Sequence, residues 1–245
     1  MTSNPYTVLA ENYDYIIKHV DYQSWFEYIK SVMLKYCNNP NIVVELGTGT
    51  GKFGAKFSAA GYNIYGIDKS IYILRVAKRR AFGKFRLICA DMSVFHLKPR
   101  ADFIFSVHDT MNYFLKKSDI AKVFKSVASS IKKESVFMFD ITTEYNILNN
   151  FHEKTSVYKI KEVLVEWNNL YNKRKRIVQS VLHFSASDGS SQTEVHYQRI
   201  YEVKEISKLL NKCGFEVLGI FGDHTFDEPN FKTIMINFVT RLKRK

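Results

Sequence analysis

The stretch "VVELGTGTGKFG", Val43–Gly54, holds four glycines at the end of a short apolar run. Glycine has no Cβ atom, so a glycine-rich backbone can come very close to a bound molecule. Glycines at this density indicate a ligand site at the turn that follows the apolar run. The candidate ligands are a nucleotide phosphate, a dinucleotide, or another molecule with a nucleoside part.

Short apolar runs alternate with helical stretches on either side of this turn. The runs predict strands at 42–46, 63–68, 85–90, 102–107 and 135–140, with helices at about 52–60, 71–80 and 118–132 between them. Strands that are apolar on both faces and alternate with helices form parallel βαβ units. The sequence therefore predicts a doubly wound α/β sheet, which binds ligands at the carboxyl ends of its strands.

The flanking sequence has a different pattern. The first forty residues predict two amphipathic helices, the second capped by Asp21. After Asp140, three apolar runs without intervening helices predict an antiparallel sheet, with a hairpin turn at "SDGS", Ser187–Ser190. The predicted strands of this sheet are 155–167, 176–187 and 193–201. A helix at 203–213, with Gly214 as its C-terminal cap, and strands at 215–221 and 231–242 return to the main sheet.

These segments predict one α/β fold with an insertion. Residues 1–140 and 202–245 form the core, a seven-stranded, mostly parallel sheet with an N-terminal helical lid. Residues 141–201 form a small antiparallel sheet, inserted over the edge of the ligand site as a substrate subdomain.

Composition narrows the class of protein. The chain has 245 residues, 46% of them hydrophobic, which suits a globular domain with a large core. We expect a cytoplasmic protein, because the three cysteines are far apart and no signal peptide or membrane span is recognisable. The formal charge of +12 makes nucleic acid a possible partner, although most of the basic residues are spread along the chain. Two basic runs stand out, "NKRKR" (Asn172–Arg176) and "RLKRK" (Arg241–Lys245).

The glycine pattern fits some nucleotide ligands better than others. A Walker-type phosphate loop is excluded, since Leu46 occupies the position of its first glycine and Phe53 follows its lysine. A dinucleotide fingerprint, GxGxxG, is matched by Gly49, Gly51 and Gly54, so the glycines alone leave NAD possible.

A longer pattern, E-x-G-x-G-x-G, adds an acidic residue to the turn. It consists of Glu45, Gly47, Gly49 and Gly51. A carboxylate before the turn would repel a pyrophosphate but attract an ammonium group. The ligand should therefore carry a cationic amino-acid end, as S-adenosylmethionine does.

Two more acidic residues end the next two strands. Asp68 follows the second strand and can accept the hydroxyls of a ribose, while Ser70 can cap the helix beyond it. Asp91 follows the third strand and can accept the amino proton of adenine, with Met92 packed against the ring. Three acidic residues at successive strand ends favour one nucleoside ligand over three unrelated turns.

At the motifs "ELGTGTG", "GID" and "CADM" the chain resembles the class I S-adenosylmethionine-dependent methyltransferases. The resemblance covers about Ile42 to Asp140. It implies Glu45, Gly47, Gly49 and Gly51 around the methionine part of the cofactor, Asp68 at the ribose, and Asp91 with Met92 at the adenine. Lys69 is a further predicted cofactor contact. After transfer the product is S-adenosylhomocysteine.

Three further segments resemble a bacterial small-molecule branch of this family, which includes sugar-amine N-methyltransferases. They are "DTMNY" (Asp109–Tyr113), "FDITTEYN" (Phe139–Asn146) and the stretch from Glu194 to Val217. The resemblance implies that Tyr6 and Tyr13 cover the cofactor and that His108 and Asp109 lie near the transferred methyl group. The predicted substrate contacts are Asn112, Tyr113, His196 and Arg199.

The segment that follows the fourth strand, "SVHDTMNYF", argues against two nucleic-acid chemistries. It lacks the proline motif of enzymes that methylate amino groups of bases, and no cysteine is suitably placed for attack on a pyrimidine.

Strand alternation puts Glu194, His196 and Gln198 on one face of the inserted sheet, with Tyr197 and Arg199 on the other. The sequence does not indicate which face contacts the substrate.

The prediction is thus an S-adenosylmethionine-dependent methyltransferase that acts on a small polar molecule at nitrogen or oxygen, without a metal. Because the sulfonium is already an electrophile, no catalytic side chain is predicted. The alternatives are an RNA methyltransferase, favoured by the basic charge, and a non-enzymatic S-adenosylmethionine-binding protein. An NAD dehydrogenase is a more distant fourth reading.

Overall fold

The computed structural model describes residues 2–3 and 5–244. The outer limits of the predicted core, Met1 and Lys245, lie outside the described residues, and so does Asn4. No helix in the described part of the chain combines the length and apolarity needed to cross a membrane.

Strands and helices are numbered here in chain order. The strands are β1 (Thr2–Ser3), β2 (Ile42–Leu46), β3 (Asn63–Asp68), β4 (Phe85–Cys89), β5 (Ala101–Ser106), β6 (Ile131–Thr142), β7 (Thr155–Ile160), β8 (Val163–Asn172), β9 (Ile177–Ala186), β10 (Ser191–Arg199), β11 (Phe215–Gly222) and β12 (Met235–Leu242). The helices are α1 (Leu9–Ile16), α2 (Tyr22–Tyr36), α3 (Lys52–Ala59), α4 (Ile71–Ala77), α5 (Lys117–Ser130), α6 (Glu144–Asn146) and α7 (Val203–Lys212). Short 3-10 turns follow at Lys78–Arg80 and Thr110–Tyr113, and one π-helical turn at Ile147–Phe151 continues α6.

The larger sheet confirms the predicted fold class. Within the described residues it has seven strands in the order β11-β12-β6-β5-β2-β3-β4. Strands β6, β5, β2, β3 and β4 are parallel. Strand β12 runs antiparallel to β6, and β11 runs antiparallel to β12, so β11 has the direction of the five parallel strands. The chain leaves β2 towards β3 on one side and returns to β5 on the other. The loops that follow β2 and β5 therefore separate at this point, where doubly wound sheets bind their ligands.

Both faces of this sheet are covered, which explains why its strands are apolar runs rather than alternating ones. On β5, Phe103 and Phe105 pack with α2 and α3, whereas Ile104 packs with α5 on the other face. All three side chains are fully buried. The core is therefore two apolar layers, and the polar ends of the strands are left for the ligand site.

The smaller sheet differs from the prediction in its strand count. Its order is β1-β10-β9-β8-β7, and β7 to β10 form antiparallel hairpins. The predicted strand at 155–167 is wrong, because the chain turns at Lys161 and Glu162 and divides it into β7 and the longer β8. Lys161 adopts a φ of 53° with no glycine or asparagine to signal the turn. The hairpin turn predicted at Ser187–Ser190 lies between β9 and β10.

The N-terminal segment contributes to both sheets. Helix α1 is shorter than the apolar stripe that predicted it, and β1 pairs in parallel with β10 as a fifth strand of the smaller sheet. Asp21 caps α2 as predicted, since its carboxylate accepts hydrogen bonds from the backbone N–H groups of Gln23 and Ser24. Gly214, with a φ of 87°, ends α7. The sequence missed α6 and its π-helical continuation, and it placed the start of β12 four residues too early, at 231 rather than 235.

Candidate active site

The glycine loop joins β2 to α3 and requires left-handed backbone. The φ angles are 72° at Gly47, 54° at Gly49 and 78° at Gly51, which L side chains rarely adopt. A Cβ at Gly47 would lie 2.5 Å from Thr110 Cγ2 on the turn after β5. The loop and that turn are therefore packed against each other at the point where the sheet changes direction.

Glu45 lies beneath this loop and is 3% exposed. Its Oε2 atom accepts hydrogen bonds from Thr48 Oγ1 at 2.6 Å and from the Gly54 N–H at 3.1 Å. Burial raises the pKa of this carboxyl group to about 8, and neighbouring Asp68 adds to the rise. Its Oε1 atom has no hydrogen-bond partner, and the carboxylate no ion pair, among the described residues. A cationic group beside Oε1 would offset the cost of this buried charge.

The predicted nucleoside contacts lie along the neighbouring strand ends. Asp68 accepts the Gly49 N–H at 3.1 Å and the Ser70 N–H at 2.9 Å, and its burial raises its pKa. Asp91 is exposed; although partial burial opposes ionisation, the hydrogen bonds from Ser93 lower its pKa. These acids line one cavity together with the glycine loop, hereafter the loop cavity. The residues in it that the sequence predicted are Tyr6, Tyr13, Glu45, Gly47, Gly49, Asp68, Lys69, Asp91, Met92, His108 and Tyr113.

The donor and acceptor set of the loop cavity fits S-adenosylmethionine. The buried carboxylate of Glu45 has no cationic partner among the described residues and suits an ammonium group. Asp68 and Asp91, at the ends of the next two strands, can accept hydrogen bonds from ribose hydroxyls and from an adenine amino group. Gly51, the left-handed N-cap of α3, was also predicted to contact the cofactor, but it does not line this cavity.

A second cavity, of about 470 Å³, lies between α1, α2 and the smaller sheet and is hereafter the insert cavity. Its aromatic lining includes Trp25, Tyr158 and Trp167. Its polar lining includes Asn146, Asn150, Ser156, Asn169, Ser180, His196 and Gln198. None of the described residues that line it is a lysine or an arginine, although the whole chain carries a formal charge of +12.

Four aromatic side chains, Tyr6, Tyr13, His108 and Tyr113, line both cavities and are hereafter the ring wall. The hydroxyls of Tyr6 and Tyr113 are 2.8 Å apart, and the Tyr13 hydroxyl is 2.9 Å from His108 Nδ1. Burial raises the pKa of each tyrosine hydroxyl and lowers the pKa of His108 to about 4. At neutral pH the ring wall is therefore uncharged, with polar atoms facing both cavities.

The backbone at His108 and Asp109 is strained, with φ angles of 64° and 50°. Asp140, at the end of β6, holds this turn by accepting both backbone N–H groups at 2.8 Å. His224 Nε2 lies 3.1 Å from the same carboxylate, and its ring stacks on Trp25 with centroids 3.8 Å apart. The sequence missed these two supporting roles, although Asp140 at a strand end was a usable signal.

Asp109 lines the insert cavity and not the loop cavity, although it was predicted to contact the cofactor. Its Oδ2 atom accepts a hydrogen bond from Gln198 Nε2 at 2.7 Å. Burial, with the nearby charge of Asp140, raises the pKa of Asp109 to about 7.

Strand β10 turns Glu194, His196 and Gln198 towards the ring wall and Asp109. His196 Nδ1 lies 3.2 Å from the Tyr113 hydroxyl, and its Nε2 lies 3.1 Å from Glu194 Oε2. Glu194 also accepts the backbone N–H groups of Tyr6 and Leu9 at the start of α1. The buried carboxylate of Glu194, on the smaller sheet, thus holds the N-terminal segment over both cavities.

Two predicted substrate residues face away from the cavities. Arg199 donates to the Leu115 carbonyl at 3.3 Å and lies 3.7 Å from Glu205, because strand alternation puts it on the opposite face of β10 from His196. Asn112 is fully buried, and its amide bonds the Arg199 carbonyl at 2.7 Å and the Thr142 N–H at 3.0 Å. Both therefore support the turn after β5 rather than line a cavity. Within residues 2–3 and 5–244, no group of three or more His, Cys, Asp or Glu side chains could hold a metal ion.

Residues 43–134 match the family described as a methyltransferase domain. The chain is similar to YqeM of Bacillus subtilis (strain 168), with 23% identity over 239 residues that cover 95% of each protein.

Two solved structures have the same fold over nearly the whole chain. An S-adenosylmethionine-dependent methyltransferase from Clostridium acetobutylicum ATCC 824 has a TM-score of 0.83 and 26% identity, covering 98% of this chain and 99% of that one. The sugar N-methyltransferase KedS8 from Streptoalloteichus sp ATCC 53650 has a TM-score of 0.79 and 15% identity, covering 96% and 93%. At 15% identity the second likeness shows the fold alone.

Proposed function

Because this chain is an S-adenosylmethionine-dependent methyltransferase with a class I core, we propose that it methylates a small polar molecule at nitrogen or oxygen. The family, the enzyme class and the cofactor, all predicted from the sequence, are confirmed by the comparisons. When bound, the cofactor supplies a methyl group on a sulfonium sulfur, and transfer leaves S-adenosylhomocysteine. The single observation that carries the small-molecule proposal is the insert cavity, separated from the loop cavity by the ring wall.

In this proposal the loop cavity holds the cofactor. Glu45 Oε1 binds its ammonium group, the loop glycines allow close approach of the backbone, Asp68 binds the ribose hydroxyls, and Asp91 with Met92 binds the adenine. The electrostatic support is strongest for Glu45, whose carboxylate is buried without a cationic partner.

The acceptor binds in the insert cavity, and its nucleophilic atom reaches the methyl group through the ring wall. The N-terminal segment and the smaller sheet shield this path from water, and the ring wall orients the acceptor. An uncharged ring wall does not repel the sulfonium, and its hydroxyl and imidazole groups can accept a hydrogen bond from an acceptor N–H or O–H. The likeness to a sugar N-methyltransferase is compatible with nitrogen as the acceptor atom.

An RNA substrate is less well supported. RNA recognition relies on lysine and arginine side chains along the path of the phosphates, and the described lining of the insert cavity contains neither. The basic run Asn172–Arg176 forms the hairpin turn between β8 and β9, and it lines neither cavity.

We also propose a cytoplasmic location, supported by the three free cysteines.

The test is incubation with methyl-labelled cofactor, first with a metabolite extract and then with total RNA. We expect label in a molecule small enough for the insert cavity and none in RNA. Label in RNA would contradict the proposal. Binding of S-adenosylhomocysteine without label in any fraction would indicate the non-enzymatic alternative. Asp68→Ala should abolish labelling, and Asp188→Ala, in the exposed turn between β9 and β10, is the matched control.

A further inference from the structure

The insert cavity contains one carboxylate that no cation neutralises. Two acidic residues line it, Asp21 and Asp109, but the Asp21 carboxylate is already the N-cap of α2. Asp109 makes one side-chain hydrogen bond, from Gln198, and no ion pair with any described residue. It therefore keeps lone pairs for a donor that enters the cavity.

The surroundings of Asp109 set its charge state. The titratable groups around it are Asp140 on β6, Tyr6 before α1, Tyr13 on α1, His108 beside it, Tyr113 on the following turn and His196 on β10. None of these is a lysine or an arginine. Burial and the Asp140 charge raise the pKa of Asp109 to about 7, and the Gln198 hydrogen bond limits that rise. The carboxylate is thus held without a counter-ion at a pH where it can both lose and gain a proton.

We propose that Asp109 binds the ammonium group of the methyl acceptor and removes one of its protons, so that the acceptor is a small amine without a phosphate. This inference rests on the proposed function and specifies its substrate class and one catalytic residue. It reassigns Asp109 from the cofactor to the acceptor.

An N–H bond of the acceptor ammonium breaks, its electron pair stays on nitrogen, and the proton forms an O–H bond with Asp109. The freed lone pair forms the new C–N bond while the methyl–sulfur bond breaks, and that electron pair remains on sulfur as the thioether. The product leaves as a methylated ammonium, and Asp109 then releases its proton to water.

The lining of the insert cavity supports a cation over an anion. The indole of Trp167 lines the cavity, is oriented by a 2.9 Å hydrogen bond to Asn169, and is an aromatic group that can attract an ammonium group. A phosphate in the same place would lie beside the Asp109 carboxylate without a lysine or arginine to pair with it. The basic residues of the chain lie elsewhere, so its +12 charge does not make this cavity an anion site.

The first experiment separates the metabolite extract by charge before labelling. Fractions retained by a cation exchanger, retained by an anion exchanger, and unretained are each incubated with the wild-type enzyme and methyl-labelled cofactor. We expect label in the cation-exchange fraction. Label in the anionic or neutral fraction overturns the amine inference while the proposed function stands. No label in any fraction removes the proposed function and the inference with it.

The second experiment measures binding without catalysis. Both tryptophans of the chain, Trp25 and Trp167, line the insert cavity, so their emission reports its occupancy. The probes are cyclohexylmethylamine, cyclohexylmethanol and cyclohexylmethyl phosphate, which differ in charge on one hydrocarbon frame. We expect the amine to bind roughly tenfold more tightly than the alcohol, as a charge-assisted hydrogen bond predicts. Equal affinities, tighter phosphate binding, or no saturable signal with the amine overturns the inference.

Variants connect this binding to Asp109. Asp109→Asn should abolish the preference for the amine over the alcohol, while Asp119→Asn, half-buried on α5 and part of neither cavity, should keep it. For the labelled acceptor, kcat/KM of the wild type should fall as pH drops through about 7, because protonation removes the base. Asp109→Asn should lose this inflection, and Gln198→Leu should move it to higher pH. A pH profile that both variants leave unchanged overturns the role of Asp109.

Discussion

At the scale of single residues, Glu45 is a carboxyl group whose two oxygens have different roles. Oε2 is bound to the loop and to the start of α3, and Oε1 is unpaired. With a pKa of about 8, the group is largely protonated at neutral pH when no cation lies beside it. Binding of an ammonium group must therefore expel a proton, which makes cofactor affinity depend on pH.

We predict that affinity for S-adenosylhomocysteine falls as pH decreases from about 8 to 6, by up to about tenfold per pH unit for one competing proton. Calorimetry in buffers of different ionisation enthalpy should detect the released proton. Glu45→Gln should weaken binding and remove this pH dependence, because an amide neither ionises nor attracts an ammonium group. Glu162→Gln, in the exposed turn before β8, is the control and should behave as wild type.

The residues of the loop cavity could be predicted from the sequence because the ends of parallel strands meet at one edge of a sheet. Glu45, Asp68 and Asp91 follow from that rule once the strands are located. Arg199 and Asn112 could not be assigned in the same way. Their side chains are committed to neighbours about thirty to ninety residues away, and local sequence contains no information about such partners.

At the scale of elements, Gly54, the fourth glycine of Val43–Gly54, sets the distance between α3 and the sheet. A Cβ at Gly54 would lie 2.2 Å from Phe85 Cζ on β4. Alanine is favoured over glycine in a helix by about 1 kcal/mol, but such a contact forces repacking.

We therefore predict that Gly54→Ala lowers the free energy of unfolding by about 1–3 kcal/mol, measured by urea denaturation. In a Phe85→Leu background the same change should cost less, because the clashing ring atom is gone. Equal costs in both backgrounds would show that the contact with Phe85 is not the cause.

The start of helix α1 is held by Glu194 on strand β10 of the smaller sheet. Although burial opposes ionisation, the hydrogen bonds from His196 and from backbone N–H groups at the start of α1 lower the pKa of Glu194. The contribution of this carboxylate to stability is therefore present above about pH 4.5 and is lost as pH falls below that value.

Glu194→Gln should loosen the N-terminal segment, because the amide NH₂ group cannot accept the hydrogen bond that one carboxylate oxygen now accepts. We expect a loss of about 1–3 kcal/mol in the free energy of unfolding. Hydrogen exchange should accelerate at the Tyr6 and Leu9 amides, and affinity for S-adenosylhomocysteine should fall. Protection of these two amides at the wild-type level would contradict the role of Glu194 in holding the N-terminal segment.

The elements themselves were predictable where periodicity was strong and glycine marked the turns. The parallel strands and the hairpin at Ser187–Ser190 follow from such signals. The turn at Lys161 and Glu162 does not, because it contains no glycine, asparagine or proline that would mark it. Strand β1 also escaped prediction, since two polar residues have no periodicity and pair through their backbone.

At the scale of the whole molecule, the most basic turn lies apart from the two cavities. The exposed lysines and arginine of the turn between β8 and β9 lie in neither cavity. We predict that Lys173→Gln, Arg174→Gln and Lys175→Gln together leave kcat/KM for the labelled acceptor within about twofold of wild type, since exposed charges are strongly screened. A fall of about tenfold or more that steepens at low salt would instead indicate a polyanionic substrate.

The ring wall has a consequence for how the two compartments communicate. Because the same four side chains face both, filling either compartment restricts the rotational freedom of groups that the other ligand would also have to immobilise. Occupancy of one side then makes the second association more favourable, and thermodynamic reciprocity requires the enhancement to be identical in the two directions. Such heterotropic coupling would slow dissociation of the methyl donor while the acceptor is bound. It would also lower the affinity for each product once the other product has dissociated.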